Sequence, residues 1–179
     1  MNFIDTADAY GPETNELLIA EALYPYPQGL VIATKGGQTR PGPNQWVQDG
    51  RPERLAQCVD RSFKRLKLER IDLYQLHRID PKVPVEESLG ALKAAQDAGE
   101  IRHIGLSEVT VAQIEQPKRL CRLSASRTDT ISPTATRRDA LTYCQKEKMG
   151  FIPLAAAILL ILSIKTSSRL NSAWFLNFF

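Results

Sequence analysis

Two hydrophobic patterns alternate over residues 1–116. Short apolar runs of strand length occur at Phe3-Ile4, Leu30–Ala33, Ile71–Leu76 and Ile101–Leu106. Between them the apolar positions recur with helical period. Glu13–Leu23 carries Leu17, Leu18, Ala20 and Ala22. Pro52–Leu66 carries Leu55, Val59, Phe63 and Leu66, and Pro52 suits a first helical position. Val85–Ala98 carries Val85, Leu89, Leu92 and Ala95, and Gly99 stands where a helix would stop. Strands alternating with helices predict βαβ units around a parallel sheet.

Each apolar run delivers one polar residue at its C-terminal end. Asp5, Lys35, His77 and Ser107 occupy these places in turn. In parallel α/β folds that end of the sheet is where sites are built. One such residue could be a helix cap or a satisfied core group. Four in series point to an active site.

Composition changes little in this picture. The chain has 179 residues, 43% of them apolar and 24% charged, with a formal net charge of +3. These values suit one globular domain and exclude a disordered or collagen-like chain. The length is short for a complete (β/α)8 barrel, which needs about 250 residues. The positive charge is local, because residues 117–138 hold six Lys and Arg against one Asp. That stretch has no aromatic residue on which a base could stack, so no nucleic-acid partner is expected. Cys58, Cys121 and Cys144 form no CxxC. They read as reduced thiols of a cytoplasmic protein rather than a disulfide framework or metal site. The N-terminus lacks the pattern of a signal peptide. The apolar stretch Leu154–Ile164 is too short for a membrane span, which takes about 20 residues.

The candidate residues suit proton delivery to a carbonyl group. A free tyrosine, such as Tyr10, has a pKa of about 10, too high for easy acid–base work at neutral pH. A neighbouring lysine ammonium favours the phenolate, and a carboxylate would hold that lysine charged and oriented. A histidine across the pocket could orient the carbonyl oxygen. None of these groups carries hydride, so a cofactor is required. No GxGxxG occurs, so a Rossmann dinucleotide site is not supported.

Four segments carry a family resemblance. They are Phe3-Ile-Asp-Thr-Ala-Asp-Ala-Tyr-Gly11, Ile32-Ala-Thr-Lys-Gly36, Arg70-Ile-Asp-Leu-Tyr-Gln-Leu-His77 and Gly99-Glu-Ile-Arg-His-Ile-Gly-Leu-Ser107. In order and spacing, over about residues 2–116, they resemble the aldo-keto reductases. The resemblance implies a TIM-barrel oxidoreductase that uses NADP(H) to reduce a small carbonyl substrate. It assigns Tyr10 as general acid, Asp5 and Lys35 as the pair that tunes it, and His77 as the group that orients substrate. It places Ser107 on the nicotinamide carboxamide. The family usually has Asn after that serine, and here Glu108 stands there.

The expected architecture is a partial (β/α)8 TIM barrel over residues 1–153. It covers roughly the second to fifth strands plus remnants of later ones, with residues 154–179 as an apolar tail. The pattern dissolves after about residue 116 and returns at Asp139–Pro153, which resembles the family's next helix and strand. Between them the family carries a strand reading roughly Val-Gln-Asn-x-Tyr-Asn. Codons can be chosen for Arg122–Pro133 that, without their first two bases, give Ile-Val-Ser-Val-Gln-Asn-Arg-Tyr-Asn-Leu-Thr. Residues 117–138 therefore read as translated in a shifted frame. Open sheet edges in such a barrel predict self-association. Three functions follow from the resemblance: a reductase with impaired turnover, a non-catalytic remnant, or a regulatory subunit derived from the same family.

Overall fold

The computed structural model describes residues 2–11, 13–119, 123–128 and 136–153. The expected tail at 154–179 lies outside them. Six parallel strands form one sheet in the order β1 (Phe3–Asp5), β2 (Val31–Gly36), β5 (Ile71–Leu76), β6 (Ile101–Ser107), β7 (Leu123–Thr128) and β8 (Gly150–Pro153). A separate antiparallel hairpin, β3 (Gln38–Gly42) and β4 (Gln45–Gln48), follows β2. The helices are α1 (Thr14–Leu23), α2 (Pro52–Leu66), α3 (Val85–Asp97), α4 (Val111–Glu115) and α5 (Thr136–Lys146). This is the parallel sheet of a partial (β/α)8 barrel.

Side chains alternate across the strands, so each strand serves two layers. One set, including Tyr74, Leu76, Ile104 and Leu106, packs with Leu55 and Val59 of α2 and Leu89 and Leu92 of α3. The other set forms a small inner cluster of Ala33, Leu73, Ala125 and Ile152, with Phe3 against it. The polar strand ends Asp5, Lys35, Gln75, His77, Ser107 and Arg127 continue that inner alternation. The sheet therefore presents them together at its C-terminal end.

Local signals explain the helix limits. Pro52 opens α2, where its missing N–H leaves no bond unmade. Gly99 follows α3 at φ +85°, a conformation that favours glycine. Gly36 allows close packing, because a Cβ there would lie 2.2 Å from Tyr74 Oη and 2.8 Å from Cys58 Cβ.

One expectation needs correction. The apolar positions of α1 do not define its buried face, since Leu17 and Leu18 are exposed while Glu16 and Ala20 are buried. Glu16 goes inward because Arg65 meets its carboxylate at 2.7 Å and the Thr34 hydroxyl donates to it. A paired carboxylate can occupy a buried position that an unpaired one cannot. The stretch where the periodic pattern dissolves also contains a strand: Leu123–Thr128 is inserted between β6 and β8. Residues 120–122 and 129–135 of that stretch lie outside the described residues.

Candidate active site

Asp5 ends β1, and Lys35 lies one strand over in β2. Lys35 Nζ sits 2.9 Å from Asp5 Oδ2 and also donates to the Thr6 carbonyl. The other carboxylate oxygen of Asp5 accepts from Gln75 Nε2 at 2.8 Å. The lysine side chain is fully buried. That burial pushes its ammonium down to about 8, against the pull of Asp5; Arg127 pushes in the same direction as burial.

Tyr10 is brought in by the loop after β1. Asp8 N donates to the Lys35 carbonyl at 3.0 Å, and Tyr10 N to the Ala7 carbonyl at 3.2 Å. Lys35 Nζ lies 5.1 Å from the centroid of the Tyr10 ring. His77, just beyond β5, meets the same ring edge-on, with centroids 5.6 Å apart. Burial pushes the His77 imidazole down to about 3, aided by the charges of Lys35, Arg78 and Arg127. The ring is neutral at physiological pH and can offer one N–H to an oxygen.

The hairpin supplies the outer wall. Trp46 of β4 stands with its ring centroid 6.4 Å from that of His77, and the Arg40 guanidinium lies 5.0 Å from the indole centroid. Together Tyr10, Gln38, Trp46, His77, Arg78 and Arg127 line a cleft of about 380 Å³.

Asp5, Tyr10, Lys35 and His77 thus converge on one place. Ser107 lies beside them, fully buried at the end of β6, with Arg78 Nη1 3.4 Å from its Oγ. Glu108 follows at φ +57°, its N–H on the Arg127 carbonyl.

Sequence reasoning missed Arg127, Trp46, Gln38 and Arg78. Arg127 is the largest departure. It pairs with Ser107 across β6 and β7, and its side chain is only 9% exposed. From there it crosses the concave face of the sheet. Its Nε reaches Asp5 Oδ2 at 3.1 Å, and its Nη1 comes to 3.5 Å from Tyr10 Oη. No pattern of apolar positions marks it, because it stands in the serine- and arginine-rich stretch.

The chain is similar to known proteins in both sequence and fold. The sequence pattern of the Aldo/keto reductase family matches residues 1–159. An uncharacterized oxidoreductase of Schizosaccharomyces pombe is 47% identical over 153 residues, covering 86% of this chain and 50% of that protein. A Glycine max protein named "Probable aldo-keto reductase 1" is 34% identical, over 86% of this chain and 45% of its own length. Among solved structures, the glycerol dehydrogenase of Gluconobacter oxydans superposes with a TM-score of 0.81 at 29% identity. That match covers 95% of this chain and 54% of the dehydrogenase. The chain spans about half the length of the relatives it matches.

Proposed function

Because the chain belongs to the aldo/keto reductase family of oxidoreductases, we propose that its cleft binds a small aldehyde or ketone with the carbonyl oxygen on Tyr10, the residue placed to protonate that oxygen when hydride reaches the carbon. The observation that carries this reading is the convergence of Tyr10, His77 and the Asp5–Lys35 pair at one sheet end. His77 is held neutral, so it serves as a hydrogen-bond donor to the carbonyl oxygen and not as the acid. Tyr10 donates a hydrogen bond from its hydroxyl to the same oxygen, and would release that proton only as hydride arrives at the carbon. The ammonium of Lys35, fixed by Asp5, lies beside the Tyr10 ring, where it would stabilise a phenolate.

Members of this family take hydride from a nicotinamide dinucleotide, and the family resemblance implies NADPH. Its residues do not fit the nicotinamide ring. Ser107, the proposed carboxamide contact, is buried against Arg78. Glu108 offers a carboxylate where the family offers an amide. Arg127 crosses the concave face to Asp5 and Tyr10. The chain accordingly keeps the carbonyl-binding and proton-transfer half of the site, and hydride delivery is impaired.

Following NADPH oxidation with short-chain aldehydes and ketones tests the proposal. The expected rate is at background for both the chain and Tyr10→Phe. Steady turnover that Tyr10→Phe abolishes would overturn the impairment. Turnover indifferent to Tyr10→Phe would overturn the role of Tyr10.

A further inference from the structure

The cleft holds more positive charge than it balances. Lys35, Arg78 and Arg127 all act on His77, and among the described residues the only carboxylate bonded to any of them is Asp5. Asp5 spends one oxygen on both Lys35 and Arg127 and the other on Gln75. Arg78 has no carboxylate partner among the described residues. Its Nη1 rests on the His77 carbonyl at 3.1 Å and on Ser107 Oγ, both uncharged. Its Nε and Nη2, and Nη2 of Arg127, bond to nothing among the described residues. Both guanidiniums line the same cleft as Tyr10 and His77.

Charge of one sign in a walled cleft concentrates ions of the other sign. Guanidinium donors are matched to the paired oxygens of a carboxylate. We propose that the ligand of this cleft is a small oxo-carboxylate, its carboxylate held by Arg78 and Arg127 and its carbonyl oxygen directed to Tyr10 and His77. This deepens the carbonyl-binding reading above and rests on it. Arg127, already anchored on Asp5, presents its remaining edge at a fixed place. Arg78 supplies the uncompensated charge. Trp46, beside Arg40 and His77, closes the apolar side.

Saturation-transfer NMR on methyl signals tests this without cofactor or turnover. The probes are pyruvate, its neutral analogue hydroxyacetone, and acetate, which has the carboxylate but no ketone. Pyruvate is expected to bind at least tenfold tighter than hydroxyacetone. Arg78→Gln and Arg127→Gln should each weaken pyruvate about tenfold, while Arg51→Gln, on the exposed surface, leaves it unchanged. Circular dichroism of each variant separates lost binding from lost fold, and Arg78→Gln keeps the test valid if Arg127→Gln unfolds. Equal binding of pyruvate and hydroxyacetone would overturn the anion site and leave the carbonyl reading standing. Acetate binding as tightly as pyruvate would support the anion site and count against the carbonyl reading. Absence of saturable pyruvate transfer, or affinity indifferent to Arg78→Gln in the folded variant, would overturn the proposal outright.

Discussion

Arg127 Nε lies 3.1 Å from Asp5 Oδ2, although three strands separate β7 from β1 in the sheet. The same oxygen accepts from Lys35 at 2.9 Å. One carboxylate thus balances two largely buried cations and ties the two flanks of the sheet together across its concave face. Removing one partner of a buried pair costs more than the pair itself contributes, because the other charge is stranded.

Asp5→Asn should therefore be the most damaging single change in the site. It strands both Lys35 and Arg127, and a loss of about 3–5 kcal/mol is expected. Arg127→Gln leaves the Asp5–Lys35 pair intact and should cost much less. Urea denaturation of the two variants checks the order; a milder effect for Asp5→Asn would refute the account.

Gly36→Ala should destabilise by about 1–3 kcal/mol through overpacking. The new methyl group would lie 2.2 Å from Tyr74 Oη and 2.8 Å from Cys58 Cβ. The double variant Gly36→Ala with Tyr74→Phe removes the nearer atom and should recover part of the loss. A thermal melt of the single and double variants measures this.

Asp8 gives stability a pH dependence. Burial pushes its carboxyl from 3.8 up to about 6, opposed by a hydrogen bond with Cys58 and reinforced by Glu16. Below 3.8 both folded and unfolded states hold the proton. As pH rises from 3.8 to 6 the unfolded state releases it first, so this group's contribution to stability falls across that window. The span is worth about 3 kcal/mol. Asp8→Asn lacks this contribution, so its stability relative to the parent should rise by that amount between pH 4 and 6, which unfolding curves of the two proteins would show.

His77 acts in the opposite direction. Its imidazole is pushed down to about 3 by burial and by three cations. The unfolded state gains a proton below about 6.5. The folded state does not, so this contribution to stability is lost as pH falls from 6.5 toward 3. The His77 Cε1 proton shift should stay constant between pH 5 and 8 in NMR spectra. A titration midpoint near 6.5 would show that the ring is not enclosed among these cations.

The two strongest periodic segments were legible almost to the residue. Pro52–Leu66 and Ile71–Leu76 come out as read, because a continuous apolar stripe and a bounded apolar run are local properties. Asp5, Lys35, His77 and Ser107 were also legible as a series, since a parallel sheet sends successive strand ends to one side. The α1 pattern misled, because the Glu16–Arg65 pair joins two helices and leaves no trace in α1 alone. The hairpin β3–β4 lacks regular alternation and carries Pro41 and three glutamines, so it does not stand out from a loop.

By itself, then, the sequence determined the alternation of strands and helices, the family, and which strand ends carry polar groups. These depend on spacing along the chain, and the periods of 2 and 3.6 residues express them directly. Only the tertiary structure decided that Arg127 joins Asp5 and Tyr10, and that Arg78 and Trp46 face the same cleft. Electrostatic pairing depends on distance through space, and the sheet sets that distance by strand order and curvature.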